Sequence, residues 1–372
     1  LVWDVSRDDA NLVPLLERAL AALGQRDDSL RVRLLARLAG GPLKDPRFPP
    51  ERKAALATEA VEVARRIGDP VALAHALDAY IPASESPDTT IELLELADEL
   101  LALALELGDR ELSASAHEHR VGRLMELGRI PEATAGVEAM RKLAGELRQP
   151  AQQWLSEVCA ARLALLEGRL PEAESLIAGA RAIGERTQGW NAAVAFRLQF
   201  YLLRREQGRA GEVEELVNGS VVEYPTFPLW RCVQAQMAAA LGHDAQARET
   251  IEALAAHDFA ALPFDAMWLV SMGFLAEAAS AVGDARRAEL LYARLLPYGG
   301  RIAVSYPEIS TGAIARYLGL LASTQAGWDA AETHFQQARE LNERIGARPW
   351  VVRTQRDHAQ MLLARDAAGA LS

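Results

Sequence analysis

Apolar side chains recur on a period near 3.6 residues in one segment after another, and no segment clearly alternates at period two. The pattern predicts an all-α protein in which helices make up nearly all regular structure. Its punctuation also repeats. A short turn on glycine is followed five residues later by a small residue at Gly128…Ala133, Gly168…Ala173, Gly208…Val213, Gly242…Ala247 and Gly283…Ala288, and Ala326…Ala331 continues the series with Ala in place of Gly. Successive anchors lie 40, 40, 34, 41 and 43 residues apart, which suits two helices and two turns per unit.

The chemistry of the pattern explains its form. A first helix that ends in a tight turn favours a left-handed residue there, which glycine adopts without a Cβ penalty, and a small residue five later lets the second helix approach closely. Seven residues before the anchor the first helix should be small as well; Ala161, Ala235, Ala276 and Gly319 comply, whereas Val121 and Tyr201 depart. A second stop, Gly after the last apolar residue, closes the other helices at Ile67-Gly68-Asp69-Pro70, Leu107-Gly108-Asp109, Ile183-Gly184-Glu185 and Ile345-Gly346-Ala347-Arg348-Pro349. Working outward, Leu12–Leu23 and Leu30–Leu38 form a first hairpin and Trp350–Ala364 a closing helix, so about eight or nine hairpins tile the chain. Such a series predicts a right-handed superhelix of tandem helical hairpins, an α-solenoid of the tetratricopeptide kind, as one domain over residues 1–372. Gly40–Pro50 reads as a Pro/Gly-rich connection, and Pro297–Tyr306 as a longer loop leading into a helix at about Pro307.

Composition narrows the function. A chain of 372 residues exceeds the roughly 250–300 at which a single compact core stops growing, and stacked repeats resolve that conflict. The formal net charge of -11 sets the overall field against a phosphate backbone, so nucleic-acid binding is not expected. Cys159 and Cys232 are too far apart for zinc-ligand spacing or a disulfide framework and read as buried small hydrophobes in a reducing cytoplasm. No apolar run approaches the ~18 residues a membrane span needs, and no leader pattern is evident. Asn218-Gly219-Ser220 reads as a turn, and the start at Leu1 without Met suggests a piece of a longer protein.

Several segments taken together resemble the helical-repeat region of large bacterial signal-transduction ATPases, namely the long LuxR-type ATP-dependent transcriptional regulators and the adenylate/guanylate cyclases that carry an AAA-like ATPase. They are LLERALAALGQRDDSLRVRLLARLA at 15–39, ADELLALALELGDRELSASAHEHRVGRLMELGR at 97–129, LLRREQGR at 202–209, ARYLGLLAST at 315–324 and ETHFQQARELNERIGARPWVVRTQRDHAQMLLAR at 332–365. The resemblance implies the sensor part of such a regulator, with an N-terminal ATPase and an output domain as its partners. No G-x-x-x-x-G-K-[ST] loop occurs in this chain, so the ATPase is not within it.

Motifs that carry chemistry are missing. His117-Glu118-His119 is the densest cluster of ligand types, but adjacent helical residues diverge by about 100° and cannot converge on one metal. No nucleophile motif and no paired acid and base stands out, so neither catalysis nor a cofactor is expected. The inner face of the superhelix is the expected binding surface. Counting back six residues from the anchors places Arg162, Gln236 and Glu277 there, and counting back ten places Glu118, Leu198 and Arg316, within an otherwise largely apolar strip. Trp154, Trp190, Trp230, Trp268 and Tyr306 recur near the starts of first helices, as a stacking row or as wedges between hairpins. Two functions fit: capture of a small effector in the groove, or docking of a protein such as the regulator's own ATPase.

Overall fold

A computed structural model describes residues 12–40, 49–187, 189–260 and 262–370, except for the side chain of Trp190. Among these residues are 18 α-helices: α1 (Leu12–Leu23), α2 (Ser29–Ala39), α3 (Pro50–Ile67), α4 (Pro70–Ala83), α5 (Thr90–Leu107), α6 (Arg110–Glu126), α7 (Ile130–Leu147), α8 (Pro150–Glu167), α9 (Leu170–Gly184), α10 (Gly189–Glu206), α11 (Glu214–Glu223), α12 (Leu229–Ala240), α13 (Asp244–Leu254), α14 (Trp268–Ala281), α15 (Ala285–Leu295), α16 (Ile314–Thr324), α17 (Trp328–Arg344) and α18 (Arg348–Gly369). They are packed as sequential hairpins, the tandem helical repeat that the sequence predicts. Residues 41–48 of the Pro/Gly-rich connection lie outside the described residues.

Local signals act where the pattern puts them. Asp28 and Asp69 cap α2 and α4 by accepting from the amides of Leu30 and Val71, which satisfies donors the first turn leaves free. Each anchor turn adopts positive φ, from 66° at Gly283 to 80° at Gly242, and Ala326 follows at 59° without being glycine. The paired small positions are closed to solvent: Ala133, Ala173, Ala247, Ala288 and Ala331 are wholly buried, as are Ala161, Ala235 and Ala276 one turn region earlier. At Gly319 a Cβ would stand 2.8 Å from the ring of Phe335, so α16 and α17 touch at that point.

Contacts divide the chain into two compact units. The first comprises Leu1–Leu124, Pro131–Glu157 and Ala180–Val194. Its core includes Leu77, Ile81, Leu93, Ala97 and Leu100, apolar positions spaced for one helical face. Within it Arg123 donates to Glu85 at 3.0 Å, and Asp78 accepts from Ser115 and from His119 at 3.1 Å. Burial would raise the Asp78 carboxyl, but the hydrogen bond and charge of His119, with Ser115, hold it at about 2.

The second unit comprises Met125–Ile130, Val158–Gly179 and Ala195–Ser372. It contains a departure from the predicted all-helical pattern. Residues expected to be a loop and the start of a helix at Pro307 instead form an antiparallel hairpin, β1 (Ile302–Ser305) and β2 (Ile309–Ala313), with a cis Tyr306–Pro307 bond in its turn. The helix begins only at Ile314. Every residue of both strands is buried, so the apolar/polar alternation that marks a half-exposed strand is absent. β2 is anchored where the amide of Ala313 donates to Asn342 Oδ1 at 3.1 Å. At Gly312, with φ 75°, a Cβ would lie 2.7 Å from the indole of Trp350. Asn218-Gly219-Ser220 is another correction: it lies inside α11, where Ser220 is buried and donates to the carbonyl of Leu216, rather than in a turn.

Candidate ligand-binding site

The second unit contains an open cavity of about 1140 Å³. Its wall is built from the C-terminal halves of α10, α12 and α14, from α16 along its length and from the first two-thirds of α18. The repeat register supplies the same positions from successive helices. Six residues before the anchors stand Gln236, Glu277 and Leu320; two before stand Glu206, Ala240, Ala281 and Thr324; three before stand Arg205, Ser280 and Ser323. All of these line the cavity because steps of three and four residues return to one face of a helix.

Seven of the lining side chains are ionisable and form one alternating chain. Arg353 donates to Glu206 at 2.8 Å, and Glu206 stands 3.9 Å from Arg205. Arg205 donates to Glu277 Oε1 at 2.8 Å, and Arg316 donates to the same oxygen at 2.5 Å. Arg316 then meets Asp357 Oδ2 at 2.6 Å, and Arg356 donates to Asp357 Oδ1 at 2.7 Å. Trp350 lies beneath this chain, its ring centroid 5.7 Å from the guanidinium of Arg205, 5.9 Å from that of Arg316 and 5.8 Å from that of Arg353.

Glu277, Arg205 and Arg316 hold their charges. Burial alone would raise the Glu277 carboxyl, but the charges of Arg205, Arg316 and Arg353 pull it well below the usual carboxylate range. Burial would likewise lower Arg205 and Arg316, and Glu277 first among their partners lifts both above the ordinary guanidinium value. Burial pushes the Tyr201 phenol up to about 12, which keeps it protonated as the donor to Gln236 Oε1. Three polar atoms of the wall are closed to solvent and have no hydrogen-bond partner among the described residues: Arg205 Nη1, Glu277 Oε2 and Ser280 Oγ.

Of the residues expected on the inner face, the structure brings Gln236, Glu277 and Arg316 together on this wall. Arg162 is elsewhere in the same unit, wholly buried, its guanidinium carbon 5.0 Å from the ring centroid of Tyr306. None of its three nitrogens has a hydrogen-bond partner among the described residues. The β-hairpin explains the displacement. Its turn packs against α8 and α10, where Gln199 donates to the carbonyls of Val158 and Glu308, both at 2.8 Å, so the inner positions Arg162 and Leu198 are covered. Glu118 belongs to the first unit, where burial raises its carboxyl above the usual range.

The tryptophans are not a stacking row on the cavity. Trp230 is wholly buried, and Trp268 packs edge-on against Phe264 and Tyr298 at 5.1 and 5.7 Å. Trp154 fills a gap in the first unit so closely that a Cβ at Gly184 would stand 2.7 Å from its indole. They act as wedges, because flat rings fill the irregular space between helices. The side chain of Trp190 lies outside the described residues. The wall itself is far more charged than the apolar strip expected from the sequence.

Sequence reasoning misses Arg205, Glu206, Arg353, Arg356 and Asp357. The first two were within reach, one helical turn on from the sixth position before the anchor. The other three sit on α18, which looks like a cap rather than a wall; its packing on α17 and the close approach of Gly312 to Trp350 bring it to the site. Among the described residues no group of His, Cys, Asp and Glu is arranged to hold a metal ion. Cys232 is inert, its thiol pushed up to about 12 by burial. Among the same residues no helix is long and apolar enough to cross a membrane.

No protein-family model and no curated protein matches the chain. Among solved structures it is similar to a circular tandem repeat protein with novel repeat topology and enhanced subunit contact surfaces, at 14% identity over 96% of this chain and 95% of that one, with a TM-score of 0.22.

Proposed function

We propose that the second unit is a non-catalytic binding module that takes a small polar effector into the cavity between α10, α12, α14, α16 and α18, as the sensor of a larger bacterial regulator. One observation carries this reading: a cavity of about 1140 Å³ whose wall holds a buried donor and a buried acceptor, Arg205 Nη1 and Glu277 Oε2, with no partner of their own. Buried polar groups are nearly always paired, and a ligand with matching groups would complete these two. The volume suits a molecule of metabolite or drug size. Docking of a protein such as the regulator's ATPase fits the wall less well, since a protein surface would have to desolvate seven ionised side chains in a recess. The regulator context rests on the family resemblance of the repeats. In that context the effector would be read by the ATPase and output domains.

The test is a thermal-shift and calorimetric screen of metabolites against the wild type and Ala281→Trp, which fills the cavity from an exposed position on its wall. A ligand that binds the wild type and not the variant supports the reading. Ligands that bind both equally, or none at all, overturn it.

A further inference from the structure

The charges of the cavity wall define the class of ligand, on the reading that the cavity is a binding site. Four guanidinium groups, Arg205, Arg316, Arg353 and Arg356, face three carboxylates, Glu206, Glu277 and Asp357. They alternate in the order Arg353, Glu206, Arg205, Glu277, Arg316, Asp357, Arg356, so the chain begins and ends on a cation and carries one positive charge in excess. The excess is weakest in compensation at Arg356. Its only acceptor among the described residues is the neighbouring Asp357, already engaged by Arg316, and its side chain is 57% exposed, compared with 3% for Arg316. Arg353 lies one turn away on the same face of α18 and also lines the cavity. The exposed Arg356 guanidinium suits a planar carboxylate, which accepts two parallel N–H bonds from a single guanidinium.

The unpartnered atoms define the other end of the ligand. Glu277 Oε2 needs a donor, Arg205 Nη1 needs an acceptor, and Ser280 Oγ takes either role. A hydroxyl satisfies both demands and an amine the first. We infer that the cavity takes a small organic carboxylate of single net negative charge that also carries a hydroxyl, or an amine beside a second acid group, its acid group on the Arg353–Arg356 face and its donor at Glu277 and Ser280. A phosphate monoester, with close to two charges at neutral pH, would overshoot the single excess positive charge and leave net negative charge beside Glu206, Glu277 and Asp357.

The experiment uses the full chain and matched probes: hydroxymonocarboxylates and glutamate, each beside its neutral carboxamide, with unsubstituted alkanoates and phosphate monoesters of similar size. The expected result is binding of substituted carboxylates roughly tenfold or more tighter than their carboxamides, and tighter than the alkanoates, by calorimetry. Arg356→Gln should abolish the preference of acid over amide without lowering the melting temperature of the free protein, because its side chain is mostly exposed. Ser280→Ala should weaken the hydroxylated acids and leave the alkanoates unchanged. Equal binding of acid and amide, retention of the preference in Arg356→Gln, or tighter binding of phosphate monoesters would overturn the inference. Should a neutral or cationic probe bind instead, and Ala281→Trp abolish it, the binding-site reading stands and the carboxylate inference falls; no binding by any probe removes both.

Discussion

Arg162 and Glu277 are both buried charged residues of the second unit, and they sit on opposite sides of the same electrostatic argument. Arg162 has a ring for company and no carboxylate, so the desolvation of its charge is not offset by hydrogen bonds. Arg162→Met keeps much of the volume and removes the charge; its melting temperature should equal or exceed that of the wild type. A loss of more than about 1 kcal/mol in denaturant unfolding would show that the guanidinium is held by something stronger than the ring. Glu277, by contrast, accepts from two arginines at once. Glu277→Gln leaves those two cations facing a neutral amide, and breaking a buried pair in this way costs on the order of 3–5 kcal/mol. Urea midpoints of the two variants should therefore move in different directions or by very different amounts, and similar losses in both would refute the contrast.

At the level of elements, the small residues at helix crossings were legible because a periodic requirement leaves a periodic trace. Ala173 and Ala247 are wholly buried five residues beyond a left-handed turn, and Leu at either position should lower stability by about 1–3 kcal/mol through overpacking. Differential scanning calorimetry of the two variants checks this; unchanged transitions in both would contradict the tight crossing. The β-hairpin was not legible in the same way. Strands buried on both faces carry no alternation, and the remaining cues, Ile302, Val304, Ile309 and Thr311 around the turn at Pro307, are compositional and easily outvoted by helical neighbours. That omission had a consequence for the site. Without the hairpin, Arg162 and Leu198 share a register with Gln236 and Arg316; with it, they are covered. Gly312 ties the hairpin to α18, and Gly312→Ala would meet both an unfavourable left-handed backbone, costing about 1–2 kcal/mol, and the indole of Trp350. Because Trp350 underlies three of the cavity's guanidinium groups, this variant should lose ligand affinity along with stability, measured by calorimetry and thermal melting. Full affinity in a destabilised variant would separate α18 from the site.

Across the whole molecule, the most strongly depressed carboxylates, Asp78 in the first unit and Glu277 in the second, dominate how stability should respond to acid. A carboxyl whose folded value lies below its unfolded value contributes stability that is complete above the unfolded value, near 4, and lost as pH falls toward the folded one. The protein should thus keep its melting temperature from pH 7 to about 5 and lose it below about 4. For Asp78, held at about 2 with a side chain that keeps 27% exposure, the contribution is on the order of 1–2 kcal/mol after allowing for solvent screening. Asp78→Asn should flatten that part of the acid limb, and an unchanged limb would dissociate His119 and Ser115 from its depression. The alternating charge chain of the second unit carries a different kind of consequence, an evolutionary one. Solenoids commonly gain and lose whole repeats, since each unit contacts only its neighbours. Here the charges are dealt out across non-equivalent helices: Arg205 and Glu206 on α10, none on α12, Glu277 on α14, Arg316 on α16 and three on α18. Excision of α14 and α15 would set Gln236 beside Arg316 and strand two arginines without their shared acceptor, and duplication would insert a surplus one. The α14–α15 hairpin is therefore not interchangeable with its neighbours, and descendants should vary there by substitution within helices rather than by loss or duplication of that hairpin.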